Sequence, residues 1–508
     1  MMNVLLITCD QYRHDAVEND APGDPLPSAF ADQVKTPHLA ELARGGVRFT
    51  ECHSPDPICV PARVSITTGK YPHKATGTKA NAGAVDDAKH ACLAAHFAAH
   101  GYDTAAFGKL HYSPYTPPGE PDTLHGFQHA ELYEEGRILA LFDPDGKTRG
   151  LEAYHDWLAE GPWAGYERAH GIGNNDVHPA PSPLPAEFHE SSWAVDRTLK
   201  WLRERGDPAN EKPFLVWTSL ARPHTPFDPP RPWDTTFDPR EMTPPTPEWE
   251  ADPAYLEGSD EELRGRFKEY GWDKLSAETV QVIRAHYAGL VGFQDACLGR
   301  LFEYLKESGQ EEDTVVLFTA DHGEMLGDMR SFLKACLYDA SVKVPLILRF
   351  PGNKNPGARL PQLVGLQDVF PTLCSLAGIP VPEGLDGIDL SRFAAEPDTK
   401  GRESLVAYCL EPPQQKIMLR RGSWKYVYCE AGPTEELYDL AADPGESANL
   451  TDAAEQAERK AAMRAELLQW CRDHGDASLL DGDDFTVAPP RRPDEAEFAV
   501  GKLGQRKY

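Results

Sequence analysis

Short, nearly continuous apolar runs recur along the chain and predict buried β-strands. They are rich in β-branched residues and lie at 4–8, 104–107, 214–220, 315–319 and 345–350. Runs of this kind are typical of strands that are buried on both faces, as in a parallel sheet covered by helices. The pattern therefore predicts a mostly parallel sheet.

Apolar residues at helical spacing predict helices between these strands. One helix begins at Thr36-Pro37 and stops at Gly45, a long helix covers about 277–308, and another covers 366–377. Proline in the first turn and glycine after the last turn are the ordinary start and stop signals. Strands that alternate with helices indicate a doubly wound α/β architecture.

Two long stretches and the C-terminal part differ from this pattern. Residues 112–190 and 222–275 are rich in Pro, Gly, Trp and Tyr, and we read them as loops that shape a pocket. After about residue 400 the pattern predicts short antiparallel strands and then a helix, at 417–420, 425–429, 436–440 and 452–471. We therefore expect a catalytic α/β domain at 1–400, a small α+β domain at 401–480, and a tail at 481–508 that is mobile or forms an oligomerisation arm.

Composition narrows the class of protein. The chain has 51 basic and 80 acidic residues and a net charge of −29, which repels nucleic acid and anionic lipid. We expect neither as a partner, and an anionic substrate would need a local cluster of positive groups. The ten cysteines form no CxxC pair, and the first apolar run is short and has no basic flank. These features favour a soluble cytoplasmic enzyme with reduced thiols and no membrane span.

Polar residues follow four of the predicted strands, and the carboxyl ends of such strands are where α/β proteins bind ligands. An isolated Asp there is more often a cap, and an isolated His is more often a packing residue. Together, however, they supply both metal ligands and cationic groups. Asp10, Asp321 and His322 suit a divalent cation, and the nitrogen ligand favours Mn²⁺ or Zn²⁺. Lys109, His111 and His224 would neutralise the charge of an anionic ester.

Residues 59–69 read CVPARVSITTG and predict a helix that begins at Cys59. Backbone N–H groups and the helix dipole favour an anion or a thiolate at such a position, and Arg63 lies on the same face. Cysteine phosphatases need five residues between Cys and Arg to wrap a phosphate, and here there are three. The spacing therefore excludes that class.

Taken together, the sequence resembles the type I sulfatases of the alkaline phosphatase superfamily. The similar segments are LLITCDQ (5–11), TPHLAELARGGVRF (36–49), CVPARVSITTGKYPH (59–73), GKLH (108–111), PHTPF (223–227), TADHGEMLGD (319–328) and KVPLILRFPG (343–352). The resemblance implies an alkaline-phosphatase-like sheet and hydrolysis of a small-molecule sulfate ester. It also implies that a separate formylglycine-generating enzyme, acting transiently, oxidises Cys59 to formylglycine, whose hydrated aldehyde is the nucleophile.

The resemblance assigns roles by position. It implies one divalent metal ion bound by Asp10, Asp321, His322 and the modified Cys59, with Gln11 as a further candidate ligand. The other assignments are Arg63 to hold the diol, Lys109 and Lys334 to hold sulfate oxygens, His111 to accept a proton, His224 to protonate the leaving alkoxide and to contact the substrate, and Asn81 as a substrate contact.

Three positions depart from the commonest pattern of the family. Gln11 stands where many sulfatases have Asp, His322 where many have Asn, and Ala62 where many have Ser. The first two resemble the choline sulfatase and phosphonate monoester hydrolase branches, which favours Mn²⁺ over Ca²⁺. The third bears on recognition by the maturation enzyme, but Cys59 and Arg63 of the motif are intact, so we expect conversion.

Three functions remain open from the sequence. The first is a sulfatase, which the Lys109/His111 pair favours. The second is a phosphonate monoester or phosphodiester hydrolase of the same superfamily. The third is a non-catalytic anion-binding protein in which Cys59 stays unconverted. The tail leaves open a homo-oligomer.

Overall fold

A central sheet organises the catalytic part of the chain. The computed structural model describes residues 1–18, 30–79, 81, 83–112, 124–134, 150, 152–205, 212–249 and 270–490. Within these residues eight strands form one sheet in the order β4-β3-β5-β1-β6-β7-β2-β8. They are β1 (Asn3–Asp10), β2 (Val47–His53), β3 (Asp103–Gly108), β4 (His129–Leu132), β5 (Phe214–Pro223), β6 (Thr314–Ala320), β7 (Leu346–Arg349) and β8 (Ala358–Gly365).

The sheet is mostly parallel, as the apolar runs predict. β1 lies at its centre, where Leu5 pairs with Val216 of β5 on one side and with Val316 of β6 on the other, both in parallel register. β7 alone among these strands runs antiparallel to both of its neighbours. Leu5, Val216 and Val316 are fully buried, as expected for strands covered by helices on both faces.

Helices cover the sheet and follow the start and stop signals of the sequence. Helix α1 has Thr36 as its N-cap, and the helix before Gly378 ends where that glycine adopts a φ of 72°. The helices are α1 (Pro37–Gly45), α2 (Cys59–Thr68), α3 (Pro72–Thr76), α4 (Leu93–Ala99), α5 (Ala153–Ala159), α6 (Glu190–Glu204), α7 (Ala277–Glu307), α8 (Asp339–Val342), α9 (Val369–Ala377), α10 (Ser391–Ala395) and α11 (Ala457–Asp473). None of those in the described residues is both long and apolar enough to cross a membrane.

The expectation that residues 112–190 are all loop is wrong. Strand β4 and helix α5 lie within that stretch. β4 is a short edge strand with every residue only half-buried, so it carries no apolar run that would reveal it. β2 and β8 have mixed polar and apolar residues and were missed for the same reason. Residues 113–123, 135–149, 151 and 250–269 of the expected loops lie outside the described residues.

A second, antiparallel sheet follows in the order β12-β11-β10-β9. Its strands are β9 (Ser404–Cys409), β10 (Lys416–Arg421), β11 (Trp424–Cys429) and β12 (Thr434–Asp439). We call it the C-terminal sheet. Helix α11 packs against it through Met463 and Leu467. The division at about residue 400 stays a prediction, because a bridge between Leu363 and Arg402 already joins the two parts of the chain.

The first part of the expected tail is folded. A hairpin of β13 (Leu480–Asp481) and β14 (Asp484–Phe485) places the ring of Phe485 on that of Tyr428, with centroids 4.3 Å apart. Phe485 is buried, so this segment packs on the C-terminal sheet instead of being mobile. Residues 491–508, to which the oligomerisation arm was also assigned, lie outside the described residues.

Candidate active site

Four adjacent strands bring the predicted site residues to one edge of the main sheet. The strands β3, β5, β1 and β6 are neighbours and parallel, so their carboxyl ends meet at that edge. Lys109 follows β3, His224 follows β5, Asp10 ends β1 and Asp321 follows β6. All four are buried. The sheet therefore assembles a polar cluster from residues that lie far apart in the sequence.

Cys59 is the first residue of helix α2 and points into this cluster. Its Sγ lies 3.2 Å from Nε2 of His322 and 3.9 Å from Oδ1 of Asp10. The sulfur therefore lies among the polar groups of the cluster. Asn81 accepts the backbone N–H of Val60 at 3.1 Å through Oδ1 and so helps to hold the start of the helix.

Four side chains converge closely enough to bind one metal ion. Asp10, Cys59, Asp321 and His322 each offer one ligand atom, all of these atoms lie within 4.8 Å of one another, and all four residues are buried. His322 Nδ1 lies 3.0 Å from the carbonyl oxygen of Gly323, so that nitrogen donates a hydrogen bond and Nε2 faces the cluster as a ligand. Two carboxylates with an imidazole fit a divalent cation.

The two carboxylates divide their oxygens between cationic side chains and the cluster. Asp10 Oδ2 forms ion pairs with Lys109 and, at 3.4 Å, with Arg63, while Asp321 Oδ2 pairs with Arg63 Nε at 2.9 Å. The Oδ1 atoms lie nearer His322, at 3.5 Å from Asp10 and 3.8 Å from Asp321. The cations therefore fix both carboxylates and leave one oxygen of each directed towards the metal position.

The same charges set the ionisation of the cluster. Burial opposes ionisation of Cys59, but Lys334, Lys109 and His322 outweigh it and hold the pKa of the thiol well below its ordinary value. Burial and the nearby Asp10 raise the pKa of Asp321. Position 59 therefore lies in a strongly positive environment, which favours an anionic nucleophile or substrate oxygen there.

The Arg63 guanidinium makes more hydrogen bonds than its predicted role requires. In addition to the two carboxylates it donates to the carbonyl oxygen of Lys109 and to Oγ of Ser219, the latter at 2.9 Å. Ser219 in turn accepts a hydrogen bond from Thr8 at 2.9 Å. These bonds satisfy the buried guanidinium and fix its position beside residue 59.

His111, His224 and Lys334 lie around the same cluster. The side chain of His111 helps to lower the pKa of the Cys59 thiol. Lys334 Nζ lies 2.5 Å from Nε2 of His224, whose Nδ1 lies 3.0 Å from the carbonyl oxygen of Thr225. Because ammonium groups only donate, Nε2 of His224 accepts from Lys334 and Nδ1–H donates to Thr225.

Gln11 occupies a different place from the four converging side chains. Its Oε1 accepts from Lys334 at 2.6 Å, and its Nε2 donates to Glu324 at 2.5 Å. Its backbone N–H donates to Asp321 Oδ1 at 3.1 Å, which orients that carboxylate. In this structure Gln11 therefore connects Lys334 to the metal position, and its role as a ligand stays a prediction.

Two acids that the sequence did not single out support the site. Glu324 accepts from the backbone of Leu326 and Leu333 as well as from Gln11, and burial raises its pKa to about 7. Glu134 accepts the backbone N–H of His111 at 2.9 Å. Glu324 lies within the segment TADHGEMLGD, so its proximity in sequence was a usable signal, whereas Glu134 follows an edge strand and had none.

The site belongs to a known family of hydrolases. The family model described as Sulfatase matches residues 2–379, and the model for the C-terminal part of N-sulphoglucosamine sulphohydrolase matches residues 327–473. The chain therefore belongs to the sulfatase family, within the alkaline phosphatase superfamily, and is an enzyme. This family membership argues against the non-catalytic alternative.

The individual relatives include both a sulfatase and a phosphonate monoester hydrolase. The chain is 30% identical to the multifunctional alkaline phosphatase superfamily protein PehA of Trinickia caryophylli, over 94% of this chain and 96% of that protein. It is also 30% identical to a choline-sulfatase of Rhizobium meliloti, over 89% and 82%. The crystal structure of a phosphonate monoester hydrolase of Agrobacterium radiobacter superposes with a TM-score of 0.76 at 26% identity, over 97% of this chain and 100% of that one.

Proposed function

We propose that this enzyme hydrolyses sulfate monoesters of small alcohols or phenols, with formylglycine at position 59 and one divalent cation. The observation that supports the proposal best is the convergence of Asp10, Asp321 and His322 on the Sγ position of Cys59, with cationic side chains around them. Formylglycine supplies a geminal diol, with one hydroxyl for attack on sulfur and one for release of sulfate. When bound, the cation would lower the pKa of an adjacent hydroxyl and offset negative charge on the ester.

The protein's own side chains would manage charge and protons in this reaction. Arg63, fixed by Asp10 and Asp321, holds a positive charge next to residue 59. Buried Lys109 and half-buried Lys334 add two more near residue 59, where the oxygens of a sulfate group would lie. These charges supply the local positive field that a chain with net charge −29 needs to bind an anion.

Proton transfer would fall to two histidines on different strand ends. His111, which interacts with residue 59, would accept a proton from that residue when sulfate leaves. Lys334 donates to Nε2 of His224, so a proton that moves along this hydrogen bond to Nε2 would let His224 protonate the oxygen of the departing alcohol. Asn81, whose Oδ1 holds Val60, would contact the substrate only through its amide N–H groups.

We propose Mn²⁺ as the physiological cation, with Ca²⁺ as the alternative. The ligand set contains a nitrogen, His322 Nε2, and nitrogen ligands favour transition metals over Ca²⁺. Activity after chelation and reconstitution with each metal tests this choice. Higher activity with Ca²⁺ than with Mn²⁺ at saturating metal would reverse it.

Mass spectrometry of the protein from its native host tests the modification directly. The tryptic peptide that ends at Arg63 should carry formylglycine at position 59 in most molecules. A peptide that carries only the unmodified thiol would refute the mechanism. We also propose a cytoplasmic location, in line with ten free cysteines, and a transient encounter with the maturation enzyme.

A phosphonate monoester or phosphodiester hydrolase is the second candidate. The structural similarity to the Agrobacterium radiobacter phosphonate monoester hydrolase over the whole chain specifically favours it. Comparing kcat/KM for 4-nitrophenyl sulfate and 4-nitrophenyl phenylphosphonate separates the two functions. We expect the sulfate ester to be preferred, and a preference of about a hundredfold for the phosphonate, some 2.7 kcal/mol, would replace the first function by the second.

A further inference from the structure

We propose that Asp87, Cys92 and His125 form a second metal site, of zinc type, behind the nucleophile helix. One atom of each, a carboxylate oxygen, the thiol sulfur and an imidazole nitrogen, lies within 4.8 Å of the other two. None of these residues takes part in the proposed reaction. This site shares no residue with the catalytic cluster, and its cysteine would bind as a thiolate, whereas residue 59 would act as formylglycine.

The ligand set is the one that Zn²⁺ prefers. Thiolate, imidazole and carboxylate are its ordinary protein ligands, and three of them leave a fourth tetrahedral position for water. Cys92 Sγ lies 3.4 Å from Asp87 Oδ1. With Zn–S and Zn–O bonds of about 2.3 and 2.1 Å, two tetrahedral ligand atoms lie about 3.6 Å apart, so this separation already suits a shared ion.

The structure holds two of the three ligands firmly and leaves one adaptable. Cys92 and His125 are buried, with 2% and 3% of their surfaces exposed. The turn at His125 presses against the first turn of α4: Ala95 donates to its carbonyl at 3.1 Å, and a side chain at Gly126 would collide with Ala95. Asp87 forms a close ion pair with His125, and 44% of its side chain is exposed, so it can move apart to admit an ion.

The site would join three chain segments to the back of the catalytic helix. Cys92 packs in one apolar cluster with Val60 and Val64 of α2. The ring of His125 lies 4.6 Å from that of Tyr112, whose hydroxyl accepts a hydrogen bond from Thr67 at 3.0 Å. An ion here would therefore stabilise the segment before α4, the turn before β4 and the helix that carries Cys59. Binding would release the proton of the Cys92 thiol.

Cobalt substitution in the Cys59→Ser variant tests the site without a thiol in the catalytic cluster. We expect one Co²⁺ bound through a thiolate per chain, seen as a sulfur-to-cobalt charge-transfer band in the near ultraviolet. C59S/C92S and C59S/H125A should lose the band, and C59S/C374S, which removes another buried free thiol, should keep it. The absence of a band in C59S, or a band unchanged by C92S, would overturn the proposal.

A pair of neighbouring aspartates provides the matched control. Asp86 is exposed and pairs with Lys89, whereas Asp87 is the proposed ligand. In the C59S background, Asp87→Asn should weaken Co²⁺ binding at this band by at least about tenfold, and Asp86→Asn should leave it unchanged. Equal Co²⁺ binding by the two variants would show that Asp87 is not a ligand and would overturn the three-ligand site. In melting curves, Zn²⁺ should raise the Tm of the parent but not that of C92S, and both proteins should be folded.

Discussion

Two clusters of charged residues in this protein are both buried, but they differ in which polar atoms remain available after the charges have paired. In the first, the catalytic cluster, Asp10 and Asp321 face Arg63 and Lys109. In the second, Lys425 of the C-terminal sheet reaches the main part of the chain and binds Asp339, Glu446 at 2.6 Å and the carbonyl oxygen of Leu337 at 3.0 Å. We call the trio Lys425, Asp339 and Glu446 the Lys425 cluster.

The difference lies in what remains after the charges have paired. The ammonium of Lys425 uses all three of its N–H donors, so the Lys425 cluster is closed and can only hold the two parts of the chain together. In the catalytic cluster the pairing uses Oδ2 of each aspartate, and the two Oδ1 atoms, His322 Nε2 and the residue 59 side chain still converge. A functional cluster is thus recognised by the ligand atoms that pairing leaves directed at one point.

Removing the nucleophile should give the largest effect and show that the catalytic cluster is not needed for folding. Cys59→Ala should reduce kcat on an aryl sulfate by roughly a million-fold, because no residual group can replace the formylglycine. Steady-state kinetics and a melting curve check this. Because the change removes one small side chain and leaves the ion pairs of Arg63 with Asp10 and Asp321 in place, Tm should change little. A variant with more than a hundredth of the parent activity would contradict the assignment.

Breaking the Lys425 cluster should have the reverse effect. Lys425→Met leaves two acids buried without their cation, and the free energy of unfolding should fall by about 3 kcal/mol. Urea denaturation measures this. The matched control is Arg421→Met on the neighbouring strand β10. It breaks largely exposed ion pairs with Glu466 of α11 and with Glu403, and should cost less than about 1 kcal/mol. Equal losses of unfolding free energy in the two variants would show that burial does not distinguish these ion pairs. The kcat of folded Lys425→Met should match that of the parent.

Replacing His224 distinguishes a role in proton transfer from a role in balancing charge within the catalytic cluster. His224→Ala should slow hydrolysis of an alkyl sulfate by about a hundredfold or more, because an alkoxide must be protonated as it leaves. A nitrophenolate needs no such help, so 4-nitrophenyl sulfate should lose no more than about tenfold. The ratio of kcat/KM for the two substrates is the measurement. Equal losses would remove His224 from the acid role.

The smallest effect should be the pH dependence of the Lys425 cluster. Burial raises the pKa of Glu446 to about 7 in the folded protein, against the attraction of Lys425. A carboxyl with a raised pKa binds its proton more tightly in the folded state, so this contribution to stability is full below its unfolded pKa and is lost as pH rises through about 7. The stability of the parent relative to Glu446→Gln should therefore decline between about pH 5 and 7, by at most about 1.4 kcal/mol per pH unit.

Urea midpoints of both proteins across this pH range check that prediction. Glutamine has the shape of the protonated acid and cannot titrate, so it removes only the pH-dependent part. A constant difference between parent and variant from pH 5 to 7 would show that Glu446 keeps an ordinary pKa in the folded chain.

The residues of the catalytic cluster were predictable from the sequence to a large degree. Asp10, Lys109, His224 and Asp321 each follow an apolar run that is a strand in the structure, and Cys59 begins a helix as Pro61 and Gly69 indicated. Local rules suffice for such features, because burial of a strand and the start of a helix depend on neighbouring residues. Short strands with mixed polarity, such as β4, leave no such pattern and were missed.

The sequence by itself indicated the candidate residues of the catalytic cluster and roughly where the strands and helices that hold them lie. Only the tertiary structure decided that β3, β5, β1 and β6 are neighbours, that Gln11 bonds to Lys334 and Glu324, and that Asp87 meets His125. The physical reason is that strand order and contacts between distant segments follow from how whole faces pack together. No window of neighbouring residues contains that information.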